Sequence, residues 1–145
     1  MRTLLHDLPA ASAGTQRRVR SLHFGTGTSD RKAYLQAALH ADEVPPMLVA
    51  QSLIERLTAL EAAGAIPGEI VLVPMANPIG LAQDVQGSAF GRFDLGTGIN
   101  FNRQFRHLTP ALIPALEGRL GPDVAANTRA VRAACRSLLA AWQLT

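Results

Sequence analysis

The chain has 145 residues, 48% hydrophobic and 17% charged, which suits one globular domain and excludes a disordered polymer. It contains no run of about 18 uninterrupted apolar residues, so no membrane-spanning helix is expected, and His6, Asp7 and Pro9 break the opening MRTLLHDLPAASAG before an apolar signal core can form. The net charge of +3 rests almost wholly on scattered arginines, and the cluster Arg17-Arg18-Val19-Arg20 lacks interleaved aromatics, so no nucleic-acid partner is expected.

In chain order, residues 1–16 read as a loose lead-in. RRVRSLHFG then alternates as a strand, with Val19, Leu22 and Phe24 as its apolar positions. TGTSD supplies turn residues, and KAYLQAALH follows as a second strand, apolar enough to be buried on both faces and able to pair with the first as a hairpin. A helix is predicted from Pro46, with Val49, Leu53, Leu57 and Leu60 at helical spacing and Gly64 as its stop. Ile70 to Val73, between Gly68 and Pro74, make the clearest strand, also covered on both sides. Strand, helix, strand is the pattern of a parallel crossover.

From Asn77 to about Asn100 the chain is glycine-rich and lacks firm periodicity, a length of loop that is often functional. TPALIPALEGRLGP reads as a short, interrupted helix. A strong helix begins at Asp123, with Val124, Thr128, Val131, Cys135, Leu138 and Trp142 on one face and solvated Arg129, Arg132 and Arg136 on another. Cys135, the only cysteine, reads as packing; it excludes an internal disulfide and fits a reducing, cytoplasmic compartment.

The residue pattern with most chemical content is His40-Ala41-Asp42-Glu43, at the expected end of the second strand. Ligand sites in open α/β sheets lie beyond the carboxyl ends of strands. Pro45 biases Val44 away from helical geometry, so residues 40–43 should form a turn, and a turn can bring imidazole and carboxylate to one point. Both groups are good zinc ligands. The alternative makes Asp42 or Glu43 a charge at a helix N-terminus and His40 an ordinary strand-end residue. Asn102 and Arg103, in INFNRQF, could clamp a substrate carboxylate through amide and guanidinium, with Arg92 as a second anion contact; surface roles for these residues are the alternative.

Taken in order, LQAALHADE, EIVLVPMANPIGLAQ, GRFDL and NFNRQF resemble the succinylglutamate desuccinylase/aspartoacylase family of the zinc carboxypeptidase clan, over roughly residues 32–108. The resemblance implies an α/β fold, a mixed and mostly parallel sheet flanked by helices, zinc-carboxypeptidase-like and incomplete. It implies a zinc-dependent deacylase that cleaves the amide of an N-acyl amino acid or a similar small carboxylate substrate. By resemblance, His40 and Glu43 are the first two zinc ligands, Asn102 and Arg103 bind the substrate carboxylate, and Arg92 is a further anion contact. A carboxypeptidase-like peptidase would need the same parts.

The sequence departs from the family at Pro46, at Asn100 and Phe101 in GINFNR, and in the longer spacing from Arg92 to Asn102. The family's third ligand, a later histidine, and its catalytic glutamate have no counterpart: His107 follows the clamp too closely, and His6 and His23 precede the motif. The expectation is therefore the N-terminal part, 17–145, of a longer hydrolase, with weak metal binding and little turnover alone. A non-catalytic binding module that kept the fold is the alternative. No membrane partner is expected, and a homo-oligomer is left open.

Overall fold

The computed structural model describes residues 1–27 and 31–142. It forms two compact units, Met1–Arg103 and Gln104 onward.

The first unit is built on a four-stranded sheet in the order β1 (Arg2–Leu8), β2 (Arg17–Gly25), β4 (Glu69–Val73), β3 (Lys32–Gln36). β1 and β2 are antiparallel, β2 and β4 antiparallel, and β3 and β4 parallel. The sheet is mixed, as expected, but antiparallel pairings outnumber the parallel one in these four strands. Helix α1 (Val44–Ala62) connects the parallel pair β3 and β4, and its inner side packs on Leu22, Phe24 and Leu72 through Ala50, Leu53, Ile54 and Leu57. Phe24, 0% exposed, and Leu72 are the fully buried large side chains of this core.

Several sequence expectations change here. Residues 2–8, expected as a loose lead-in, pair with β2 along their whole length. β2 and β3 do not form a hairpin, because β4 lies between them. Every residue of β3 is exposed, because its one strand neighbour among the described residues is β4. The apolar run that suggested burial is buried only beyond the strand, at Ala37, Ala38, His40 and Ala41. Helix α1 starts at Val44 rather than Pro46: Pro45 and Pro46 lie in its first turn, where a missing N–H costs no helical bond. Leu53, Leu57 and Leu60 of its predicted stripe pack on the core, but at its start Ala50 is covered and Val49 is exposed. The stop falls as read: Gly64, at φ 65°, takes the left-handed conformation, and Ala65 N–H donates to the Leu60 carbonyl. Of the TGTSD turn, residues 28–30 lie outside the described residues.

The long segment after β4 is more structured than its sequence suggests. It holds the short helix α2 (Pro78–Leu81) and a two-stranded hairpin, β5 (Asp84–Val85) with β6 (Ser88–Ala89). The hairpin turns on Gln86 and Gly87, both at positive φ, which matches the twist of a tight antiparallel pair.

The second unit holds α3 (Thr109–Leu116), which ends two residues after Pro114, and α4 (Val124–Trp142), against which it packs. Asp123 accepts from the N–H groups of Ala125 and Ala126 and so caps α4. The covered side of α4 centres on Ala134, with Val131, Cys135 and Leu138 half-buried beside it. Val124 and Thr128, predicted on that face, are exposed, and the Trp142 side chain lies outside the described ones. Arg129, Arg132 and Arg136 are exposed, as predicted. Among the described residues no helix is long and apolar enough to cross a membrane.

Replacing Leu72 by alanine should lower the unfolding free energy by about 2–5 kcal/mol, as burial lost plus a cavity. Leu48→Ala, on the exposed side of α1, should change it by no more than about 0.5 kcal/mol. Denaturant midpoints of the two variants check the contrast.

Candidate metal and substrate site

The site begins where β3 stops. Ala37 N–H still donates to the Val73 carbonyl, at 2.9 Å, but Ala38 turns to φ 58° and the strand cannot continue. Three contacts then hold the next residues. The Asn77 side chain donates from Nδ2 to the Leu39 carbonyl, at 2.9 Å, and accepts from Gly80 N–H through Oδ1, at 2.8 Å, so one buried amide caps α2 and pins the turn. Ala41 N–H donates to the Gly91 carbonyl, at 2.9 Å. A Cβ on Gly91 would lie 2.3 Å from the Asp42 nitrogen, so no larger residue permits this approach. Glu43 N–H donates back to the His40 carbonyl, closing the turn.

His40 and Glu43 converge. His40 is 5% exposed, and its Nδ1 lies 3.1 Å from Glu43 Oε1. Its Nε2 lies 2.8 Å from Asn100 Oδ1. The same Oδ1 accepts from the Asn102 backbone N–H at 2.9 Å, which fixes it as the amide oxygen, and His40 must therefore carry its proton on Nε2. Nδ1 then presents a lone pair. Arg92 satisfies both acceptors: Nη1 donates to His40 Nδ1 at 2.9 Å and Nη2 to Glu43 Oε1 at 2.5 Å. Its Nε lies 4.0 Å from Asp42. Glu43 stands at the N-cap of α1 yet makes no side-chain cap bond. Its carboxylate is turned to the imidazole and guanidinium instead.

Arg92 and Asn100 meet because residues 92–101 fold back on themselves. Phe93 and Asn100 pair as an antiparallel bridge, Asp94 N–H donates to the Ile99 carbonyl, and Phe101 N–H to the Arg92 carbonyl. Asp94 Oδ2 ties the tip by accepting from both the N–H and the hydroxyl of Thr97. The long interval from Arg92 to Asn102 is thus taken up in a tight loop that returns to its start. Asn102 reaches the cluster through its backbone N–H. Arg103 is exposed; its N–H donates to the Asn100 carbonyl and its Nη1 to the Asn102 carbonyl at 2.7 Å, without an observed bond to His40 or Glu43. His107 is exposed in the second unit.

The geometry thus joins His40, Glu43, Arg92 and the backbone of Asn102, and places Arg103 three residues along the chain from Asn100. Sequence reasoning missed Asn77 and Gly91 and gave Asn100 no positive role. The Asn77-Pro78 dipeptide is a helix-start signal that could have marked Asn77.

The donor set fits a metal in kind: a buried imidazole nitrogen and a carboxylate oxygen converge, and the other ring N–H is held by an amide oxygen, as metal-binding histidines commonly are. Two donors do not complete a site. Among the described residues no group of three His, Cys, Asp or Glu side chains could hold a metal ion.

A mixed α/β domain with an imidazole–carboxylate pair at the end of a parallel strand is the class of structure this defines. Residues 29–111 match the model of the succinylglutamate desuccinylase/aspartoacylase catalytic domain, and the chain belongs to that family. It is similar to a solved succinylglutamate desuccinylase/aspartoacylase family protein from Shewanella amazonensis, with 30% identity and a TM-score of 0.65 over 74% of this chain and 28% of that one. A second solved succinylglutamate desuccinylase/aspartoacylase, from Shewanella frigidimarina, gives 26% identity and a TM-score of 0.69 over 95% of this chain and 35% of that one. The chain therefore spans about a third of the length of these structures. A search of curated proteins finds no match.

The contacts with His40 and then with Arg92 hold the Glu43 carboxyl below its ordinary value of 4.5. A lowered carboxyl stabilises the fold above its unfolded value and loses that contribution as pH falls through the folded one. Stability should therefore decline as pH drops below about 4.5, and Glu43→Gln should flatten that decline. Denaturant midpoints at pH 7 and at stepped acid pH measure it.

Proposed function

We propose that this chain is part of a zinc-dependent deacylase that hydrolyses the amide of an N-acyl amino acid or a similar small carboxylate substrate. The reading rests on one observation: a lone pair on His40 Nδ1 and the Glu43 carboxylate face a common point beside Arg92. His40 and Glu43 would hold the metal. Bound zinc supplies a water acidic enough to yield hydroxide near neutral pH, and it polarises a carbonyl.

The chain's own groups do the rest. Asn100 fixes the imidazole ring and its tautomer, so Nδ1 is aimed before any cation arrives. Arg92, 41% exposed at its side chain, can donate two parallel N–H bonds to a carboxylate or carbonyl oxygen next to that point. Arg103 and Asn102 follow in the same loop, and the exposed guanidinium of Arg103 is free to leave a backbone carbonyl for a charged substrate oxygen at little cost. The role of general base falls to no described residue, so the chain alone should bind metal weakly and turn over little. That incompleteness also favours a second reading, a binding module that keeps the fold without the chemistry. The single Cys135 supports a cytoplasmic location.

Zinc titration by calorimetry separates the two readings. Wild-type protein should bind one zinc weakly, and His40→Ala and Glu43→Gln should each reduce affinity by at least 10-fold. Equal binding by wild type and both variants, with folding verified by circular dichroism, would contradict the metal assignment. Assays with N-acetyl and N-succinyl amino acids should show little metal-dependent release of the acyl group by this chain.

A further inference from the structure

A second group of polar side chains lies on the opposite face of the sheet from α1. Leu22 and Phe24 point into the core beneath that helix, so Ser21 and His23, alternating with them along β2, face the other way. The strand register puts Glu69 on the same face, because His23 pairs with Val71, two residues from Glu69. His6 joins them from β1, where it pairs with Val19.

These four residues form a continuous, directed chain. The hydrogen bond from His23, followed by that from Lys32, holds the Glu69 carboxyl below its ordinary value, so it is an acceptor only. His23 Nδ1, 2.9 Å from Glu69 Oε1, must therefore carry a proton. In the neutral ring Nε2 is then an acceptor, and Ser21 Oγ, at 3.0 Å, donates to it. His6 Nε2, at 2.8 Å on the other side, donates to the same Oγ. Lys32 Nζ, 2.6 Å from Glu69 Oε2, and Arg2, 3.6 Å from Oε1, flank the carboxylate. Ser21 is 4% exposed and Glu69 is likewise buried, yet a cleft of about 310 Å³ opens over the group, with Val19, Val71, Val73 and Tyr34 among its walls. His6, Ser21 and His23 all precede the segment that matches the hydrolase family.

We propose that Ser21, His23 and Glu69 form a nucleophilic triad that accepts short apolar acyl groups from small esters, independently of the metal site. Three relations that such chemistry uses are present: hydroxyl against base, base against an orienting carboxylate, and a pocket at the hydroxyl. Ser21 Oγ attacks the ester carbonyl while its proton passes to His23 Nε2. The carbon–oxygen bond to the alcohol breaks, and the leaving alkoxide takes that proton. A water then gives a proton to His23 Nε2 and attacks the acyl carbon, the bond to Ser21 Oγ breaks, and Ser21 recovers its proton as the carboxylic acid leaves. His6 Nε2–H, bonded to Oγ, holds the hydroxyl with its proton directed at His23. The apolar walls and the small volume select a short, uncharged acyl group.

Incubation with 4-nitrophenyl butyrate, followed by intact-mass analysis and peptide mapping, tests this. The expected result is one butyryl adduct on the peptide carrying Ser21. Ser21→Ala should abolish it, and His23→Gln should slow it at least 10-fold. Ser12→Ala, an exposed serine, and an excess of chelator should leave the rate unchanged. An adduct on Lys32 or the N-terminal amine in place of Ser21, no adduct, or a wild-type rate in folded His23→Gln would overturn the proposal.

Discussion

One oxygen atom governs the cluster around His40. Asn100 Oδ1 receives the Asn102 backbone N–H and can only be an acceptor, so the imidazole nitrogen at 2.8 Å must be protonated. The remaining nitrogen of His40 is left with a lone pair 3.1 Å from a carboxylate oxygen. Two acceptors at that separation repel unless a cation or a donor lies between them. Arg92 supplies the donors, and its bonds to both groups are the direct sign that the point they share favours positive charge. The assignment of tautomer, the orientation of Glu43 and the proposed binding of zinc all descend from that single acceptor.

The fold's part is to deliver these groups from separate stretches of chain. The parallel pair β3 and β4 sets the platform, and the turn after β3 leaves it at Ala38, a non-glycine residue in the left-handed region. Such a backbone is sustained only when its surroundings over-determine it. Here they do, through the Asn77 amide on the Leu39 carbonyl, the Gly91 carbonyl on Ala41, and Ala76 N–H on the Ala37 carbonyl. The loop from Arg92 to Phe101 closes on itself, so residues distant in sequence act as one wall.

Much of this was legible in the sequence where the signal was local. The clear strand at Ile70–Val73, the helix stop at Gly64 and the cap at Asp123 each follow from chemistry within a few residues. The His40–Glu43 turn was legible too, because the pattern ends a strand and runs into prolines. Pairing was not: β1 reads as polar and irregular because both its faces are largely exposed, and β3 reads as buried because its apolar residues continue into the turn. Neither the insertion of β4 between β2 and β3 nor the meeting of Arg92 with Asn100 leaves a local trace. For the same reason His6 and His23 carried no motif. Ser21 and His23 alternate along β2, and only the register of β1 on β2 brings His6 to the same serine.

The most direct test is the nitrogen chemistry of residue 40 itself, read by long-range proton–nitrogen correlation spectroscopy of the imidazole at neutral pH. The account predicts a neutral ring with its proton on Nε2, and an Nδ1 resonance that moves on titration with zinc. A proton on Nδ1, or a ring indifferent to zinc, would contradict it.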